Sequence, residues 1–317
     1  MKHPLKPPYL SSSASSPDEK ATITTKNTIP LPPNKLLQGA LLILLGEALL
    51  ALMGAIIKHL SADLSTEVIV FYRNLFGLLL LLPILLTAGI TSLKTQKIHL
   101  HFIRAAVGLS AMYGFFYVLA NLPLAEAFLV KLTTPFFMPI IAGVWLGESI
   151  RRKNIAAIAL GFIGVIFILK PGSDAFTHIA LIGVAAAFLA GTAKVCIRLM
   201  GSTESSVTIV FYFGLISTFL ASVPLIWSWQ LPYSHNWPWI VLMGLAGTLG
   251  QLALTRAYRI ANPGQIGPYV YSSVVYGAAL GWFIWGETLL ISTVIGSGII
   301  IAAGILNLPS FKKVNRC

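Results

Sequence analysis

The feature that most constrains this chain is a stretch of about 20 mostly apolar residues, the length that crosses a bilayer as a helix, returning along the whole sequence. Ten such stretches are expected: 36–60, 68–89, 100–120, 124–146, 153–170, 178–200, 207–229, 237–259, 263–285 and 289–308. Only helices and closed barrels satisfy their own backbone polar groups inside lipid. The expected fold class is therefore an all-α polytopic membrane protein of ten transmembrane helices. Composition agrees, with 56% of residues hydrophobic and 10% charged, where soluble domains carry about 25% charged residues. The third and fourth stretches are nearly continuous and are parted at Asn121–Pro123, since the residue before a proline is pushed out of the helical region.

The net charge of +12 raises nucleic acid as a partner, but the basic residues cluster between apolar segments and build no aromatic-interleaved face. Spans that alternate sides from a cytoplasmic tail put 17 of the 22 Lys and Arg on one side. That set includes Lys94, Lys97, Arg104, Arg151, Arg198, Arg256 and the terminal KKVNR, as the positive-inside rule requires. Lys58 and Lys170 fall at the opposite rim, and Arg73, Lys131 and Lys194 fall within spans. The expected location is the cytoplasmic (inner) membrane, multi-pass, with both termini cytoplasmic. Residues 1–34 hold seven prolines and five serines without the apolar core of a signal peptide. They read as a disordered cytoplasmic tail, with 310–317 as a second one. Cys196 and Cys317 offer no disulfide framework, and the six histidines lie in the tail or near segment ends. No metal and no cofactor is expected.

The chain matches itself at an offset near 140 residues. IVFY at 69–72 recurs at 209–212, WLGE at 145–148 answers IWGE at 284–287, and Lys58 falls opposite Arg198. Residues 35–170 and 178–309 thus read as two repeats of five helices. An odd number of spans per repeat inserts the second copy upside down, and inverted repeats around a central cavity are a transporter architecture with the binding site near the midplane. Two similar halves of opposite orientation give two conformations of similar energy, one open to each side.

PLAEAFLVKLTTPFFMPIIAGVWLGE (123–148), LGFIGVIFILKP (160–171) and NPGQIGPYVYSSVVYGAALGWFIWGE (262–287) resemble the EamA-type members of the drug/metabolite transporter superfamily. The resemblance implies five plus five helices around a cavity lined chiefly by the first, third and fourth spans of each half. It implies no catalytic residues and no particular substrate, because the superfamily exports amino acids, nucleosides, drugs and other metabolites. Small four-helix multidrug members also use a glutamate in the first helix.

Glu47 lies near mid-bilayer in the first span, where an ionised side chain costs roughly 2.5–3.5 kcal/mol or more. It must face a wet cavity, find a cation, or hold its proton, and a neutral acid bonded between helices is the plain alternative. Lys131 enters the fourth span about 10 Å from its outer end at 1.5 Å per residue. Pro135 and Pro139 remove two consecutive helical hydrogen bonds below it, which suggests a gate at the bend. Arg73 enters the second span to a similar depth, as a secondary binding candidate or a snorkelling side chain. Lys194 reads as a rim residue. Tyr113, Tyr117, Gln251, Tyr269 and Tyr271 are candidates to line the substrate path, against the common role of tyrosines in packing and interface belts. Glu148 and Glu287, repeated at the ends of matching motifs, read as partners of helix N-termini. Stripes such as Gly244, Gly247 and Gly250 read as close helix contacts.

The expected function is a secondary transporter of a small, zwitterionic, amino-acid-like metabolite, working by efflux or exchange, as a monomer or homodimer. It would couple to a proton or an exchanged substrate. A proton-coupled exporter of drugs or organic cations through Glu47 is the rival within transport. A membrane scaffold or lipid-modifying protein is the rival from another class. No nucleophile–base pair is evident for an enzyme.

Overall fold

The computed structural model describes residues 33–88, 93–146, 152–169, 174–200, 203–260, 267–288 and 291–307, all within one folded unit. Residues 1–32 of the expected tail, Glu148, Arg151, Lys170 and 308–317 lie outside the described residues. The first half holds α1 (Pro33–Leu60), α2 (Thr66–Ala88), α3 (Ile98–Asn121), α4 (Leu124–Lys131), α5 (Thr134–Leu146) and α6 (Arg152–Leu169). The second holds α7 (Asp174–Met200), α8 (Ser206–Ser222), α9 (Leu225–Ser228), α10 (Trp237–Ile260), α11 (Ser272–Trp285) and α12 (Ile291–Asn307). Among the described residues, five stretches are long and apolar enough to cross a membrane: Lys35–Leu60, Thr66–Pro83, Ile98–Asn121, Leu124–Trp145 and Ser234–Ala257. Leu181–Ile197, Val207–Ser222 and Thr293–Ala303 are shorter apolar helices.

Helix ends follow local chemistry. α3 stops at Asn121, and Leu122 ahead of Pro123 is extended, with ψ 159°, as a pre-proline residue should be. The side chain of Ser205 accepts the backbone N–H of Thr208 at 3.1 Å and caps α8. α11 ends on Gly286 in the left-handed region, φ 65°, the conformation that favours glycine. Two spans depart from expectation. The seventh stops at Ser222 rather than 229, because Pro224 has no N–H to continue the ladder. The ninth enters through a 3-10 turn at Gly267–Tyr271 before α11 begins.

Apolar side chains point outward over much of the surface, including Val144, Phe219, Ile226, Phe283 and Ile291, each at least 72% exposed. That is the reverse of a soluble protein and suits contact with lipid tails. Inside, α1 packs along α10 and α3 along α7, with α6 against α12 and α2 against both α8 and α10. α11 contacts α1 and α4, and α7 contacts α4 and α5. The α1–α10 crossing is close because Gly46 and Gly250 oppose each other. A Cβ on either would lie 3.1 Å from the other's carbonyl oxygen. Small residues at such crossings let membrane helices approach.

Arg104 does not behave as a loop charge. It lies inside α3 and is 7% exposed, since the helix begins at Ile98 and its packing against α7 and α8 turns that face inward.

Candidate binding site at the Glu47–Lys131 pair

Glu47 occupies the middle of the 28-residue α1, beside the Gly46–Gly250 crossing, and is 2% exposed. Lys131 is the last residue of α4 and half-buried. Its Nζ lies 3.3 Å from Oε2 of Glu47 and 5.3 Å from the ring centroid of Phe128. Lys131 is thus the cation within hydrogen-bond reach of Glu47. A third charge joins them: Lys194 on α7 interacts electrostatically with both Lys131 and Glu47. Its side chain keeps exposed surface. Its spacing of four from Arg198 suggested a rim residue, and the helix that carries it packs against α4 and α5.

Lys131 owes its position to a break in the fourth span. Leu132 and Thr133 separate α4 from α5. Pro135 leaves the Lys131 carbonyl without its helical donor, and the Thr134 hydroxyl donates to it at 2.7 Å. Thr133 likewise donates through its hydroxyl to the Val130 carbonyl at 2.7 Å. Pro139 sits inside α5 without ending it. The α4 segment is anchored by Phe128, whose ring is wedged between two glycines. A Cβ on Gly54 of α1 would lie 2.9 Å from that ring, and one on Gly277 of α11 2.7 Å from it.

The start of α4 is tied down by Glu287. Its Oε2 accepts the Leu124 N–H at 2.8 Å, while its other oxygen pairs with Lys58, whose Nζ also donates to the Leu122 carbonyl at 2.9 Å. The expected role at a helix N-terminus holds, but the helix served is α4 rather than the one following Glu287. Glu126, in the first turn of α4, accepts the Thr293 hydroxyl at 2.9 Å.

Among the remaining candidates, Arg73 is buried in α2, with Nη1 3.3 Å from Asn74 Oδ1. Tyr113 is half-buried, and its enclosed hydroxyl makes no hydrogen bond. Gln251 is half-buried on α10 next to Gly250. Tyr271 packs on the core, whereas Tyr117 and Tyr269 are exposed, each 41%. The structure thus joins Glu47 and Lys131 directly and leaves those two tyrosines at accessible surface. Among the described residues, no group of three or more His, Cys, Asp or Glu could hold a metal.

A separate cavity of about 900 Å³ opens at the end of the bundle carrying residues 93–97 and 203–204. Thr95 donates there to Glu204 at 2.7 Å, and Lys97 to the Leu199 carbonyl at 3.0 Å.

The EamA-like transporter family matches this chain twice, over residues 37–170 and 177–308. A pseudopaline exporter of Pseudomonas aeruginosa (strain UCBPP-PA14) is 31% identical over 278 residues, covering 87% of this chain and 97% of that protein. A riboflavin transporter of Vibrio cholerae is 28% identical, covering 79% and 86%. An S-adenosylmethionine uptake transporter of Rickettsia bellii is 27% identical, covering 81% and 88%. One crystal structure aligns with a TM-score of 0.60 over 86% of this chain and 96% of its own, at 17% identity, a likeness of fold. The family and these relatives are transporters, not enzymes. On a match to both halves and a near full-length relative at 31% identity, this chain belongs to the EamA-like transporter family.

Proposed function

We propose that this protein is a secondary transporter that moves a small zwitterionic, amino-acid-like metabolite across the cytoplasmic membrane by alternating access, in the export direction. The observation that carries the reading is the pairing of buried Glu47 with half-buried Lys131. A zwitterion replaces that pair with two of its own, amine to Glu47 and carboxylate to Lys131, so its binding leaves no charge stranded in low dielectric. The exporter among the relatives supports the direction.

The ten-span, inverted-repeat arrangement is part of the proposal. The packing pattern supports it: α1 on α10 has its counterpart in α7 on α3, and α2 on α10 in α8 on α3, while α6–α12 maps onto itself. Both termini then lie in the cytoplasm, and Pro135 and Pro139 act where the fourth span bends to gate the site. Tyr113, Tyr271 and Gln251 supply polar tips along the path. Coupling is to a proton, held by Glu47 when the pair opens, or to an exchanged solute.

The test is counterflow in proteoliposomes against a panel of amino acids, nucleosides and cationic drugs. Glu47→Gln and Lys131→Ala should each abolish zwitterion counterflow. An organic-cation exporter would lose activity in the first variant and keep it in the second. A protein that moved no solute but modified a lipid would end the transport reading.

A further inference from the structure

α2 and α3 each bury an arginine, Arg73 at 4% and Arg104 at 7% exposure, close enough for their charges to repel. Their donors are largely unused. Nε of Arg73 has no hydrogen-bond partner, and neither do Nε and Nη1 of Arg104. Arg104 lays its guanidinium over the Phe213 ring, 3.8 Å from carbon to centroid, which orients the fork without occupying it. Among the described residues, carboxylates lie within 4.0 Å of Lys58, His101, Lys131 and His235, and of neither arginine. Glu204, towards the Arg104 end, is engaged by Thr95 and His101.

An arginine cannot shed its charge, and a buried, unpaired one costs several kcal/mol. A second one within electrostatic range adds repulsion. Their free N–H groups form the planar fork that grips a carboxylate or phosphate bidentately. Arg73 rests against Gly247 of α10, where a Cβ would lie 3.3 Å from Nε. That glycine is one turn, about 5 Å, from the Gly46–Gly250 crossing beside Glu47. One turn beyond Arg104, Gly108 faces Phe213 of α8 and Ala193 of α7. Arg73 thus lies about one helical turn from the crossing that carries Glu47.

We propose that Arg73 and Arg104 form an oxyanion subsite for the transported metabolite, which therefore carries at least two acidic groups, carboxylate or phosphate, besides its amine. This rests on the transporter reading and narrows its substrate class. The site supplies cation and the substrate supplies the missing anion.

The full-length protein, purified in detergent, is titrated with citrate, glutamate, alanine, inorganic phosphate and tetraethylammonium while thermal unfolding is followed. Citrate or glutamate should raise Tm more than alanine does, and tetraethylammonium should not raise it; an effect of phosphate alone would identify a phosphorylated substrate. Arg73→Gln and Arg104→Gln should each weaken that acidic ligand at least tenfold, yet leave the ligand-free Tm equal or higher, because an unpaired charge is removed. The inference is overturned if alanine or tetraethylammonium stabilises best. It is also overturned if anionic phosphatidylglycerol nanodiscs alone reproduce the effect, or if the glutamine variants lower the ligand-free Tm and bind the acidic probe unchanged. Counterflow separates the two readings. Loss of all solute counterflow in the wild type defeats transport, whereas acidic-solute counterflow that persists in both glutamine variants defeats the subsite alone.

Discussion

Lys131 illustrates what a single residue contributes in this protein. Its ammonium meets Glu47 at 3.3 Å, and removing one partner of a buried pair costs roughly 3–5 kcal/mol by stranding the other. Lys131→Met should therefore lower Tm markedly, and Glu47→Gln combined with Lys131→Met should recover most of the loss while transport stays absent. A double variant as unstable as the single one would show that the two side chains are not energetically coupled. At the opposite extreme of exposure, Asp63 accepts hydrogen bonds from His235 at 3.1 Å and Asn236 at 3.2 Å. These bonds, His235 first, hold its carboxyl below the ordinary 3.8. A lowered carboxyl pKa stabilises the fold above the unfolded value and ceases to do so as pH falls through the folded one. Asp63→Asn should thus flatten the fall in Tm between roughly pH 5 and pH 3, read by thermal unfolding across that range. Glu47 and Lys131 stood out in the sequence because charge is costly at mid-span. Arg104 did not, because nothing in its spacing states which way a helix is turned.

At the scale of the element, the fourth span shows how a membrane helix tolerates a break. Its two prolines were legible as a weak point, but the break itself falls at Leu132–Thr133, just ahead of Pro135. The hydroxyls of Thr133 and Thr134 take over the carbonyls of Val130 and Lys131, which is how freed backbone groups are re-satisfied inside a bundle. On the proposed gating role, Pro135→Ala returns a donor to the Lys131 carbonyl and stiffens the bend. Counterflow should slow severalfold while ligand-induced shifts in Tm persist. The wedge at Phe128 is a matter of packing alone. Gly277→Val drives methyl groups into a ring already 2.7 Å from the Cβ position, and overpacking of this kind costs about 1–3 kcal/mol. The expected result is a lower Tm that Phe128→Leu in the same chain partly relieves.

Across the whole molecule, two sets of polar ties hold opposite ends of the bundle. One end joins Lys58, Glu287 and the Leu122–Leu124 backbone, linking α1, α4 and the residues after α11. The other joins Thr95, Lys97 and Tyr212 to their partners across residues 93–97, 199 and 204. Under alternating access one set must open while the other closes. Lys58→Glu should therefore impair counterflow, and combining it with Glu287→Lys should restore part of it; no recovery would argue that the tie acts through Leu124 rather than through charge. By itself, the sequence determined the helical class, the long apolar stretches, the halting of α3 at Asn121, and the charges that had to find partners. These follow from hydropathy, proline stereochemistry and the cost of charge in lipid, all of which act along the chain. The tertiary structure alone decided that Glu47 meets Lys131, that Glu287 serves α4, and that Arg73 and Arg104 are both buried. Those outcomes depend on how each helix is rotated against its neighbours, and that rotation is set by glycine contacts such as Gly46 on Gly250, between residues far apart in sequence.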